Sequence, residues 1–595
     1  MTAALCNEAT PIARRTRMEE RDFPLLRSQS PAVADRRYID LPRGAKWKTP
    51  ADSALGIGES RSQVPGIIME EVHPQSDNPA PESPRIRWSP TRWILSAAAV
   101  AGLAVWLWPI SQVQVRNLIL FSIGGITLLL LGFWWCFASR TPARLRLTVV
   151  AVLALLVASF IATFRFRGVT GDLVPILEAR WITPSSSVAG PLRKASTATN
   201  LDDSGRPDFP QYLGAGRDAV IRDGPTLSAD WQTTPPQVLW RQPIGSGWAG
   251  FAIVGNRAIT LEQRGPREMV VCLDALTGDL LWEHGDEARY ASPLGGEGPR
   301  TTPTIIDGRV FTFGATGILN CLALDSGKLL WQRRMAEEAP GCLPEWGYAG
   351  SPLVHEGKVI ISSGQGDGKS LRAYQIADGA PVWQGGSHAA GYASPMLCTL
   401  AGVPQVIAFN LRFITAHNPS NGQVLWERPW GSRQPVVAQP LPIGPDLIVF
   451  SSGYGVGAEL LKIERDGSNK LSPQPVWKSL ALKAKMASFI EHEGFLYGMD
   501  DGMLTCVDTR DGKRRWKSGR YGHGQLLWVD GRLLVTAESG ELVLLEPGPS
   551  APNEVARFPV FDAKLWNPPA LSGDLLLVRT DQEAACIRLP VEKNR

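Results

Sequence analysis

Six side chains stand in short loops, each a few residues ahead of an apolar run: Arg300, Trp346, Tyr392, Lys485, His523 and Asn567. Brought to one place, they are better equipped to bind than to react. Arg300 and Lys485 offer positive charge to an anionic group, Trp346 and Tyr392 offer flat faces, and His523 and Asn567 offer hydrogen bonds in either direction. Two buried cations without partners are costly, so they should face water, Glu345 or a ligand. The competing expectation is that the aromatic and proline residues of these loops only fill space.

Groups for covalent or metal chemistry are harder to find. The seven histidines are scattered, and no HExxH, CxxC or GxSxG pattern occurs. The stretch "GQGDGKS" (364–370) imitates a phosphate loop, but Ser363 stands where that motif needs glycine, so it reads as a hairpin connection. Cys272, Cys321, Cys506 and Cys586 fall at equivalent places in a repeat, which suits buried strand positions rather than disulfides. The expectation is therefore no catalytic residue and no metal ligand. With 61 basic against 57 acidic side chains, nothing points to a nucleic-acid partner.

The elements that must position the six residues are set by a repeat. "CLDALTGDLLW" (272–282), "CLALDSGKLLW" (321–331), "AYQIADGAPVW" (373–383), "AHNPSNGQVLW" (416–426) and "CVDTRDGKRRW" (506–516) each place Gly four residues before Trp. A degenerate copy ends at Trp477. The interval, about 40–50 residues, is that of a propeller blade. Within each unit a polar pair plus Gly makes a tight hairpin, and a second turn lies upstream, as at Asp307-Gly308 and Glu493-Gly494. That gives about four strands per unit, with Trp on the outermost strand lying against the next blade. Blade cores are expected near 251–282, 301–331, 348–383, 392–426, 436–477, 486–516, 523–558 and 565–590, eight in all. The last has about three strands, and the orphan "QVLWRQP" (237–243) should complete it and close the ring. Loops preceding the innermost strands, including "GSGWAG" (245–250), "PEWGYAGSP" (344–352) and "LWNPPA" (565–570), then open on one mouth of the channel, and the six residues come from six of them.

Ahead of the ring, 93–110, 117–138 and 147–164 are apolar runs of transmembrane length. Arg85, Arg87, Arg92, Arg140, Arg144 and Arg146 fall on one side of these spans, and Arg116, Arg165 and Arg167 on the other. This asymmetry puts the N-terminus inside and everything after the third span outside. Residues 1–92 read as a disordered tail, of which 1–68 is a candidate mis-assigned start, and 165–237 reads as a linker and pre-propeller segment.

The docking tryptophans resemble those of the pyrroloquinoline-quinone-type propellers, a family that includes quinoprotein alcohol dehydrogenases and BamB. "DFPQYLGAGRDAV" (208–220), "PQVLWRQPIGSGWAGFAI" and "GDLVPILEARW" are similar to a membrane-tethered bacterial group of such repeat proteins. The resemblance implies an all-β, eight-bladed β-propeller behind three transmembrane helices. It would be a binding or scaffolding module on the outer face of a bacterial inner membrane, taking a protein or a small anionic ligand and requiring no cofactor. The alternative it implies is a pyrroloquinoline-quinone-dependent oxidoreductase. Against that, no two cysteines here are adjacent and no calcium ligands or Asp base can be assigned, and the blades lack long insertions.

Overall fold

Why the chain closes into a ring is visible at one residue pair. Trp240, in the strand Gln237–Pro243, stands opposite Cys586 in the strand Glu583–Arg588, so the first strand of the ring is the outermost strand of the last blade. The same pairing of an outer-strand Trp with a small or apolar residue recurs as Trp282 with Cys272, Trp331 with Cys321, Trp383 with Ala373, Trp426 with Ala416 and Trp516 with Cys506. The structure, a computed structural model, describes residues 88–108, 112–181, 192–194, 205–292, 294–365 and 369–592. All of these fall within one compact unit, Pro81–Arg595. The expected tail up to residue 87 lies outside the described residues.

Eight antiparallel sheets, each meandering from inner to outer strand, make the propeller. Blades 1–7 span residues 252–287, 304–334, 353–385, 396–429, 441–479, 490–520 and 525–559. Blade 8 takes residues 570–588 and is completed by Gln237–Pro243. Four strands per blade and the closing strand are as the repeats predict. Adjacent blades are joined by the tryptophans. Trp282 Nε1 donates to Leu324 O at 2.8 Å, Trp331 to Ile376 O at 3.0 Å and Trp477 to Thr509 O at 2.7 Å, each in the next blade. The hairpin glycine makes room for the indole: a Cβ on Gly379, whose φ is +73°, would lie 2.7 Å from the Trp331 ring. Blade 5 has no such glycine in contact, and Trp426 instead donates to Gln405 Oε1 at 2.7 Å within its own blade.

The channel is not empty. Residues 205–231, expected as part of a linker, fold into it. Arg206 reaches Asn256 at the far end of blade 1, and Phe209 bridges Ile253 on the inner strand of that blade. The chain rises to Tyr212, reverses through Leu213, Gly214, Arg217 and Ala219 at positive φ, and descends with Val220–Ile221 parallel to the inner strand of blade 7. Arg217 is buried on the axis and donates to Pro352 O at 3.0 Å and Ser351 O at 3.3 Å. Burial draws its guanidinium down to about 10. Below, Leu227 bridges Val591, which ties this segment to the end of blade 8.

Three helices precede the ring: α1 Ser89–Leu107, α2 Val113–Phe133 and α3 Ala143–Thr163. α2 runs on through a wider turn, Trp134–Ala138. α1 begins earlier than the apolar run, with Pro90 in its first turn where a missing N–H costs nothing. All three are long and apolar enough to cross a membrane, and they bury almost nothing within the protein. From α3 the chain passes into an antiparallel hairpin of β1, Phe164–Val169, and β2, Pro175–Ala179. Its tip, 170–174, lies over the channel.

Candidate functional site

A cavity of about 470 Å³ occupies one mouth of the ring. Tyr212 of the channel segment, Met486 and Gln525 lie at its base, and the loops entering the inner strands make its wall. Two elements from outside the propeller cover it: Gln112, Gln114 and Val115 at the start of α2, and Val169, Thr170, Gly171 and Leu173 at the hairpin tip.

Four of the six residues expected at the mouth line this cavity: Arg300, Trp346, Tyr392 and Lys485. Trp346 and Tyr392 pack with ring centroids 5.5 Å apart. Arg300 folds back on its own loop, donating to Gly295 O at 2.7 Å and Gly298 O at 2.5 Å, and lies 4.7 Å over the ring of Tyr290. Burial draws its guanidinium down to about 10. Lys485 Nζ donates to Gln114 Oε1 and Gly171 O, both at 2.5 Å, and burial lowers its ammonium from the ordinary range. Neither faces Glu345 in an ion pair.

The other two do not reach the cavity. Asn567 is buried and donates to Gly247 O at 3.1 Å and Ala249 O at 2.8 Å, so its amide stitches blade 8 to the loop entering blade 1. His523 is 2% exposed, under the hairpin tip, with Nε2 3.7 Å from Asp172 Oδ1. The tip fits because residue 171 is glycine: a Cβ there would lie 1.7 Å from His523 Cδ2. Gly171 N also donates to Glu538 Oε1 at 2.9 Å, and Arg520 approaches Asp172 at 3.5 Å.

Other lining residues carry as much of the site. Trp248 and Trp566 pack 5.2 Å apart, and Lys564 Nζ sits 4.6 Å and 3.8 Å from their ring centroids while donating to Val169 O at 3.1 Å. Burial pushes the Lys564 ammonium down to about 8. Tyr454 holds Lys485 from the opposite side, 5.0 Å from ring to Nζ. Trp248 and Trp566 were readable in the quoted loops. Tyr454, between the middle strands of blade 5, and Gln114, on a helix, carry no signal in the repeat.

The arrangement suits an anion with flat or apolar parts. It does not suit a calcium–quinone centre, because no Asp, Glu, His or Cys is among the described residues lining the cavity, leaving no carboxylate to hold the ion or act as base.

Residues 234–339 and 266–518 match the family described as outer membrane protein assembly factor BamB. A curated protein of that name from Xanthomonas campestris pv. campestris is 31% identical over 139 residues, 23% of this chain and 32% of the relative. The chain thus spans about a third of that relative's length. Among solved structures, BamB from Moraxella catarrhalis is 13% identical, covering 60% of this chain and 100% of that one at a TM-score of 0.44. A europium-containing methanol dehydrogenase is 11% identical, covering 65% and 99% at a TM-score of 0.48. These two structural likenesses carry nothing about the site. The docking repeats, their register around the ring and the family match together make this a pyrroloquinoline-quinone-like, BamB-like β-propeller.

Proposed function

We propose that the chain is a membrane-anchored, extracytoplasmic propeller of a bacterial inner membrane that binds or scaffolds a protein partner or a small ligand and needs no cofactor. The observation that carries this reading is the covered cavity at the mouth, whose wall mixes aromatic faces with cations. Three spans and the arginine asymmetry support a periplasmic ring. The start of α2 and the hairpin that follows α3 meet the same mouth, as they must if three consecutive spans alternate direction. The curated relative's name, an outer membrane protein assembly factor, supports a protein partner.

The test is cross-linking in intact cells from a photoreactive residue at Leu343, in the loop that carries Trp346. A discrete adduct, reduced when Trp346 is replaced by Ala, is the expected result. No adduct in any growth condition, together with a new absorbance band when purified chain meets pyrroloquinoline quinone and calcium, would replace this reading with the oxidoreductase.

A further inference from the structure

Arg300 and Lys485 line the cavity and Lys564 stands directly behind its wall, against Trp248, Trp566 and Val169, and none of the three forms an ion pair with a described carboxylate. Arg300 is satisfied by backbone carbonyls and the Tyr290 face. Lys485 is held by Gln114 and Gly171, and Lys564 by Val169 O and two indoles. Their direct partners are neutral oxygens and ring faces, and the carboxylates that act on them from farther off, Asp172 and Glu538 among them, do not line the cavity, so the charge it presents is positive. The depressed ammonium of Lys564 reports its desolvation.

The second observation is where the pocket sits. Gln114 lines it from the first turn of α2, and Leu118, four residues on, opens the uncharged, predominantly apolar stretch of that helix. Four residues of helix span about 6 Å. The Arg116 guanidinium lies 4.9 Å over the Trp106 ring at this end of α1 and α2, a pairing suited to the membrane–water boundary. Large apolar side chains are also exposed beside the pocket: Phe166 (53%) and Leu177 on the hairpin and Leu294 (51%) in the cavity wall.

We propose that the cavity holds the anionic head group of a bilayer amphiphile, with the apolar part of that molecule lying along the start of α2 and the exposed hairpin. The inference rests on the membrane anchoring proposed above. A volume of about 470 Å³ takes a glycerophosphate-sized group between Trp346, Tyr392 and the cations, not a whole lipid.

The experiment uses the full chain in nanodiscs of phosphatidylcholine with or without phosphatidylglycerol, extracted into mild detergent, with retained lipid counted by native mass spectrometry. Phosphatidylglycerol should be retained over phosphatidylcholine by about ten-fold or more, and Lys564→Gln should lower that retention about five-fold, the contribution of one cation. Lys513→Gln, on an exposed hairpin at the opposite end of the ring, should leave it unchanged. Arg300 also organises its own loop, so Lys564→Gln with an unchanged Tm is the deciding variant. Equal retention of both lipids, retention of neither, or displacement of phosphatidylglycerol by inorganic phosphate overturns the proposal, the last by making the site one for a free anion. A chain that fails to enter nanodiscs overturns the anchoring as well, whereas insertion without lipid selectivity overturns this inference alone.

Discussion

At the scale of the residue, two glycines with nearly the same backbone separate conformational strain from packing. Gly308 and Gly379 have φ of +68° and +73°, yet a Cβ on Gly308 meets open space while one on Gly379 meets the Trp331 indole. Gly308→Ala should cost about 1–2 kcal/mol, the left-handed penalty alone. Gly379→Ala should cost clearly more, because the ring must move. Trp331→Ala should cost about 3–5 kcal/mol through the cavity it leaves. Chemical denaturation of the three variants checks the order, and equal losses at the two glycines would show that the indole does not depend on its seat. Asp172 gives a second prediction. Burial works to raise its carboxyl, but His523, then Arg520 and Lys485, outweigh it and hold the group below the ordinary value. A depressed folded pKa means that the stabilisation is present above the unfolded value, about 4, and is lost as the pH falls through the folded one. The hairpin tip should therefore gain hydrogen exchange at residues 170–174 below about pH 4. Asp172→Asn should show that looseness at neutral pH, at a cost of about 1 kcal/mol for a partly exposed pair. An unchanged exchange pattern in the variant would mean that Gly171 and Glu538 dock the tip unaided.

At the scale of the element, the blades were legible because short apolar strands, a tight turn and a docking Trp recur together at a fixed spacing. The orphan strand around Trp240 was legible for the same reason, since a blade lacking its outer strand leaves an edge unpaired. The channel segment was not. Asp208 to Ile221 has no periodicity, pairs with the inner strand of blade 7 at Trp528 and Val529 and with the carbonyl of Pro352, all far along the chain, and relies on Leu213, Arg217 and Ala219 at positive φ, which composition does not announce. The site was half legible for a related reason. Loop position along the repeat fixes which residues lie near the mouth, but the direction of a side chain is decided locally, and Asn567 found two carbonyls while His523 was covered by a hairpin from another part of the chain. These segments can be weighed by truncation. A chain beginning at Pro207 keeps both the channel segment and the closing strand, one beginning at Gln237 keeps only the strand, and one beginning at Gly245 keeps neither. Their melting temperatures should fall in that order. Equal values for the last two would show that Gln237–Pro243 does not close the ring, and equal values for the first two would show that the buried Phe209, Leu213 and Leu227 add no stability.

At the scale of the whole molecule, the proposed topology fixes which end of the ring meets the bilayer. The helices attach at the covered mouth, so the hairpins that receive the docking tryptophans, with Lys513 among them, must point away into the compartment outside. The chain carries its own means of testing this, because Cys272, Cys321, Cys506 and Cys586 are fully buried beneath the docking strands and burial pushes their thiols upward, away from the reactive thiolate. In a background with Cys6 and the part-exposed Cys136, Cys342 and Cys398 replaced by Ser, a single new cysteine is the one exposed thiol beside the four buried ones. Lys513→Cys should react with a membrane-impermeant maleimide in intact spheroplasts. Leu294→Cys, also exposed in the isolated protein but set beside the start of α2, should react only after detergent extraction. Labelling of Lys513→Cys only after permeabilisation would place the ring in the cytoplasm and reverse the arginine argument. Rapid labelling of both sites in spheroplasts would keep the ring outside but lift its mouth clear of the membrane, and the docking of Lys485 on Gln114 and Gly171 would then not persist in the bilayer.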